Sequence, residues 1–124
     1  MTRERLRCGA EGEALAAAFV RARGYTILAR NYRCNAGELD IVALDARTIV
    51  FIEVRTRRGY AHGSALESVT TLKQRHVARV AALYLARHHL HAHPVRFDVV
   101  AIEVRGWTVA LSHLVDAFRA EYTG

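Results

Sequence analysis

Apolar positions recur at helical spacing near the start of the chain and alternate along its middle. Leu15, Ala16, Phe19 and Val20 share one side at about 100° per residue, which predicts a helix over residues 9–23, stopped by Gly24. Glu13 falls at the margin of that side. A strand is expected from Tyr25 to Arg33, then a turn at Asn35-Ala36-Gly37. Two short apolar segments, Ile41–Leu44 and Val50–Val54, read as a hairpin folded about Ala46-Arg47. Residues 57–66 read as a polar loop, Ser68 as a helix cap, and Val69–His89 as a second helix with an apolar stripe of Val69, Leu72, Val77, Val80, Leu83 and Tyr84. Lys73 lies within the angular range of that stripe. A strand over Val95–Val104, another over Trp107–Leu111 and a short amphipathic helix over Leu114–Tyr122 complete the order. The expected fold class is mixed α/β, a central sheet flanked by helices.

The hairpin has a chemical consequence. Folded about Ala46-Arg47, it sets Asp45 opposite Thr48, Ile41 opposite Ile52, and Asp40 opposite Glu53. Like charges directly opposed across a strand pair are destabilising, and a hard divalent cation with oxygen ligands reverses the sign. Phe51, Glu53 and Arg55 share one face of their strand. A half-buried hairpin with its acids in water fits the same alternation, and a slip of one residue would separate the two acids. Mg²⁺ or Mn²⁺ suits two carboxylates that leave positions open for water and a phosphate oxygen.

At 124 residues the chain is expected to form one domain, with residues 1–8 as a flexible lead. No apolar run is long enough to span a bilayer, and no apolar stretch follows the first charged residues, so no membrane partner and a cytoplasmic location are expected. Cys8 and Cys34 form no ligand pattern and are expected to be reduced. The net charge is +6 with a pI near 10.0, almost all of it arginine, Lys73 being the single lysine. A polyanion, nucleic acid rather than membrane, is the partner class this charge favours.

Asp40 followed by Glu53-Val54-Arg55 on the next strand resembles the Asp…Glu-x-Lys signature of the restriction-endonuclease-like nucleases. Gly12-Glu13, Gly24-Tyr25, Asn31-Tyr32-Arg33, Gly37-Glu38-Leu39-Asp40, Gly63, Lys73 and Arg96-Phe97-Asp98-Val99 extend the likeness to the YraN-like uncharacterised proteins, which are similar to archaeal Holliday-junction resolvases. The resemblance covers residues 9–104. It implies a metal-dependent endonuclease acting on DNA, with Asp40, Glu53 and Glu13 as metal ligands, and a homodimer, for which Trp107–Leu111 offers an edge.

Arg55 stands where the signature has lysine. A guanidinium cannot act as a general base, although it can orient water or hold a phosphate in bidentate fashion. Lys73 is therefore a candidate for the missing cationic role. Arg57, Arg58, Tyr60 and His62 make the loop a candidate nucleic-acid contact, and Arg75 and Arg79, four residues apart, a candidate phosphate rail. Each also fits an ordinary solvated surface. His88, His89, His91 and His93 lack a recognised zinc spacing. Asp98 can support the site at second hand or form a simple charge pair. A non-catalytic nucleic-acid-binding module on the same fold is the alternative function.

Overall fold

The structure is a computed structural model, described here for residues 9–59 and 64–119. The elements run α1 (Gly9–Ala22), β1 (Thr26–Cys34), β2 (Gly37–Asp45), β3 (Thr48–Arg58), α2 (Thr71–Arg87), β4 (Val95–Arg105) and β5 (Thr108–Phe118). The five strands form one sheet in the order β1-β2-β3-β4-β5. β3 and β4 pair in parallel and every other neighbouring pair is antiparallel. Helix α2 makes the crossover that a parallel pair requires.

One helix covers each face. Ala16, Ala17 and Val20 of α1 pack with Ile41, Ala43, Val50, Ile52, Val100 and Ile102. Val77, Val80, Ala81 and Tyr84 of α2 pack with Val42, Ile49, Phe51, Phe97 and Val99. Covering both faces buries alternate residues on opposite sides, so the central strands read as almost continuous apolar runs. Phe51 stacks on Phe97 with ring centroids 5.6 Å apart and meets the Tyr84 ring edge-on at 6.0 Å.

α1 ends in a Schellman motif: Tyr25 N–H donates to Val20 O and Gly24 N–H to Arg21 O, with Gly24 at φ 93. The hairpin register holds from Asp45↔Thr48 to Ile41↔Ile52, and its turn is allowed by Ala46 at φ 53. Pairing stops there, one residue short of the expected Asp40–Glu53 pair. The cause lies in the adjoining strands. Ala29 and Tyr32 pack in the same core although three residues apart, as do Leu39 and Val42. Asn31, at φ 51, breaks the alternation opposite Asp40.

Four expected boundaries change. β3 continues to Arg58 because Thr56, Arg57 and Arg58 pair with Ile102, Glu103 and Val104, so Arg57 and Arg58 lie in a strand rather than a loop. Ser68 does not cap α2, since its hydroxyl donates to Ala65 O; Thr70 is the cap, and its side chain accepts from Lys73 N–H at 3.2 Å. The helix spans Thr71–Arg87 rather than Val69–His89. The last stretch is one strand to Phe118, not a helix from Leu114, because it pairs along β4 and Phe118 stacks on Phe97 at 5.2 Å. Among the described residues no helix is long and apolar enough to cross a membrane.

Candidate metal centre

Where β1 and β2 lose their alternation, Asp40 and Glu53 come together and Glu13 approaches Asp40 from α1. Asp40 leaves the ladder at the end of the hairpin register, and its Oδ2 accepts the Val54 N–H at 2.9 Å. Glu53 follows Phe51 in phase and therefore sits on the α2 face of β3, 3% exposed. The water-facing reading of the hairpin does not hold for it. Glu13 reaches in from α1, 6% exposed, and takes the backbone N–H of Asn31. Gly12 allows this approach: a Cβ there would lie 3.0 Å from Thr56 Oγ1.

Burial, then the neighbouring Asp40 charge, pushes Glu53 up to about 7 from an ordinary value of 4.5. A hydrogen bond between the two carboxyl groups contributes to that rise. Asp40 is raised chiefly by burial, against the pull of the Val54 N–H and Lys73. Glu13 is raised by burial and then by Asp40. Desolvated carboxyls crowded in this way recur at functional sites.

Two cations face the acids. Lys73 Nζ lies 3.8 Å from Glu53 Oε2. It is the third residue of α2, delivered there by the Thr70 cap, and the first turn contains no acidic residue. A lysine at this end opposes the helix dipole, so the local preference is broken in favour of Glu53. Arg55 lowers the pKa of both Asp40 and Glu53. Its Nε is buried without a hydrogen-bond partner, as is Glu13 Oε1. Two unsatisfied buried polar atoms at one acidic centre are costly in a folded protein.

The donor set is oxygen only, which fits a hard cation such as Mg²⁺ or Mn²⁺. Among the described residues no three His, Cys, Asp or Glu side chains converge at metal-ligating spacing. The fit therefore rests on the Asp40–Glu53 pair, and one or two carboxylates suffice for Mg²⁺ when waters and phosphate complete its shell. Glu13 stands beside the pair, with one oxygen free to hold a water.

The other expected site residues lie apart. Arg57 Nη1 donates to Ser64 O at 2.9 Å, tying the end of β3 to the segment before α2, and Arg58 is exposed at that end. Tyr60, His62 and Gly63 lie outside the described residues, as do residues 1–8 with Cys8. Arg75 and Arg79 are exposed on α2. His88 Nδ1 is within 2.9 Å of Tyr84 O and His93 Nδ1 within 2.8 Å of Arg47 O, and among the described residues these histidines form no metal-ligating group.

Asp98 does not support this centre. It pairs with Ile52 across the parallel ladder and so lies on the α1 face. Arg96 grips it through Nε to Oδ1 at 2.9 Å and Nη2 to Oδ2 at 3.0 Å. His113 Nε2 donates to Oδ2 at 2.7 Å, and Asp116 N–H donates to Oδ1 at 2.9 Å. Arg96 also donates to Asp45 Oδ2 at 3.1 Å and to the Tyr25 hydroxyl at 2.6 Å. Sequence reasoning missed this network. Its one local sign is Arg96 and Asp98 on the same side of a strand whose centre, Val99–Ile102, is apolar.

The profile of the uncharacterised protein family UPF0102 matches residues 12–102. The chain belongs to that family. UPF0102 proteins from Geotalea uraniireducens and Roseiflexus castenholzii are 47% and 48% identical, over 92% of this chain and 91% and 94% of their own lengths. One from Symbiobacterium thermophilum is 52% identical over 78% of this chain and 82% of its own. The UPF0102 match takes in Glu13, Asp40, Glu53, Arg55, Lys73 and Asp98 alike.

Proposed function

We propose that the protein is a divalent-cation-dependent endonuclease of restriction-endonuclease-like type, hydrolysing DNA phosphodiesters, with branched or repair intermediates as its substrate class. The observation that carries this reading is the crowding of half-buried Asp40 against buried Glu53, which with burial pushes Glu53 up to about 7. Bound Mg²⁺ or Mn²⁺ would supply a water of lowered pKa and offset charge on the phosphate. Asp40 and Glu53 would hold the ion, and Asp40 is fixed by the Val54 N–H. Glu13 would hold a water through its free oxygen. Arg55 would grip the scissile phosphate. Lys73, beside Glu53, would supply positive charge and orient the attacking water.

The decisive experiment is incubation with Mn²⁺ and linear, flapped and four-way DNA, beside the Asp40→Asn/Glu53→Gln double variant. The wild type is expected to cut, and the double variant to lose roughly a thousandfold or more in rate, equivalent to about 4 kcal/mol. Cutting that survives in the double variant belongs to a contaminant and overturns the assignment.

Arg55 favours a second reading, a nucleic-acid-binding module without chemistry, because it replaces the lysine of the motif. Salt-sensitive DNA binding with no cut product would select it.

A homodimer through β5 belongs to the same proposal. This edge strand contains no lysine or arginine and carries exposed Val109 and Val115, beside Trp107 at 90% exposure. Edges of this length without lysine or arginine invite pairing. Val109→Lys is expected to turn a dimer into a monomer in sedimentation; a wild type that sediments as a monomer at high concentration removes the dimer.

A further inference from the structure

A groove of about 630 Å³ runs between the β1–β2 turn and the outer side of α2. Its floor is apolar, formed by Tyr32, Ala36, Leu83 and Ala86, and Arg79 and Arg87 stand along it. The volume falls within the range of roughly 300–1,000 Å³ that buries small ring systems. Leu83 is 46% exposed and forms part of that apolar floor. Neither arginine has an ion pair or hydrogen bond among the described residues. α2 contains no acidic residue along its length.

Charge and shape together select the occupant. Duplex DNA presents phosphates to a protein and needs only a row of cations. An apolar floor between two free guanidiniums adds nothing to that contact. It suits an unpaired nucleobase, whose ring faces are apolar and whose flanking phosphates need positive partners. The groove also lies on the helix that delivers Lys73 to Glu53. At 1.5 Å per residue, Arg79 is about 9 Å and Arg87 about 21 Å from Lys73 along that axis.

We propose that this groove holds a single-stranded segment of nucleic acid running away from the Asp40–Glu53 centre, so that substrates with an unpaired strand beside the scissile phosphate are preferred over uniform duplex. The preference for a strand with free bases rests on the phosphodiesterase reading only in its link to cutting; binding alone does not.

The test is fluorescence anisotropy in chelator, with a single-stranded oligonucleotide and the duplex of the same sequence. Wild type is expected to bind the single strand about tenfold tighter or more. Leu83→Glu and Arg79→Glu/Arg87→Glu, at exposed positions that fold can tolerate, are expected to weaken single-strand binding by about tenfold or more. The paired arginine variant should also flatten its salt dependence. Equal affinity for both forms, or unchanged single-strand binding in these variants, overturns the groove. A strand preference in chelator with no cutting in the separate Mn²⁺ assay overturns only the phosphodiesterase reading. Cutting without a strand preference overturns only the groove.

Discussion

The sheet buries acidic side chains on both faces and treats them in opposite ways. On the α1 face Asp98, 0% exposed, receives hydrogen bonds from Arg96, His113 and the backbone of Asp116. Burial raises its pKa, but those bonds from His113, Arg96 and Asp116 outweigh it and hold the carboxyl below its usual value. Toward α2, Glu53 and Asp40 have one backbone N–H between them, a lysine at 3.8 Å and each other. Their pKa values rise. Each centre uses the same backbone device, a non-glycine residue in left-handed conformation whose N–H is aimed at an acid: Asp116 at φ 54 for Asp98, Asn31 at φ 51 for Glu13. The difference is therefore not one of scaffold. One centre has its partners within the chain, and the other is left wanting charge.

The largest effect expected from breaking this contrast is at Asp98. Asp98→Asn should cost about 3–5 kcal/mol in urea unfolding at pH 7, because the mostly shielded Arg96 charge loses its best partner and keeps only Asp45. A loss below about 1 kcal/mol would show that the network is dispensable. The pH signature follows from the lowered pKa. A depressed carboxylate contributes stability above its unfolded value of 3.8, and that contribution disappears as pH falls through the lower folded value. Wild type should thus lose stability steeply in acid, and Asp98→Asn less so.

The second effect is smaller and opposite in sign. Glu53 is raised from 4.5 to about 7, so between those values the folded protein binds more protons than the unfolded chain. Its contribution is present in full below 4.5 and is lost as pH rises through about 7. Glu53→Gln should therefore be more stable than wild type at pH 8, by roughly 1–3 kcal/mol, with the amide donating to Asp40. Mn²⁺ should raise the melting temperature of wild type at pH 8 and leave Glu53→Gln unmoved. A variant no more stable than wild type at pH 8 would mean that the two carboxyls are not in conflict.

How far the chain announces these centres depends on the number of elements each needs. The hairpin was readable because its turn and alternation are local, and five of its pairs stand as the sequence implies. Lys73 was readable in part: it does reach Glu53, but Leu72 and Leu83 of the expected apolar stripe are exposed, so the buried face of α2 is narrower than the spacing implies. Glu13 was ambiguous, since its burial depends on the left-handed backbone of Asn31 on another element. The Asp98 network draws on β2, β4, β5 and the α1–β1 junction, and no spacing along the chain brings these together. The segment after Leu111 failed for a different reason. Leu114, Val115, Ala117 and Phe118 fit helical spacing, but pairing with β4 and the Phe97 stack outweigh that preference.

The smallest effect concerns Lys73, the one side chain that answers the acids from α2. Its pair with Glu53 is long at 3.8 Å and only partly shielded from water, so Lys73→Met should change stability by less than about 1 kcal/mol. The chemistry should be more sensitive than the fold. Lys73 lowers the pKa of Glu53, so its removal leaves that carboxyl protonated to higher pH. Since a cation must displace that proton, Mn²⁺-dependent stabilisation should begin at a higher pH in Lys73→Met than in wild type. Lys73→Arg should restore the wild-type profile if charge alone matters. Arg55→Met gives the matching comparison, because Arg55 acts on Glu53 with the same sign and after Lys73 in strength. If Lys73→Met cuts DNA as fast as wild type and Arg55→Met does not, the cationic role lies with the arginine on β3 and Lys73 only relieves crowding. If the rates fall in the opposite order, the lysine absent from β3 has its counterpart at the start of α2.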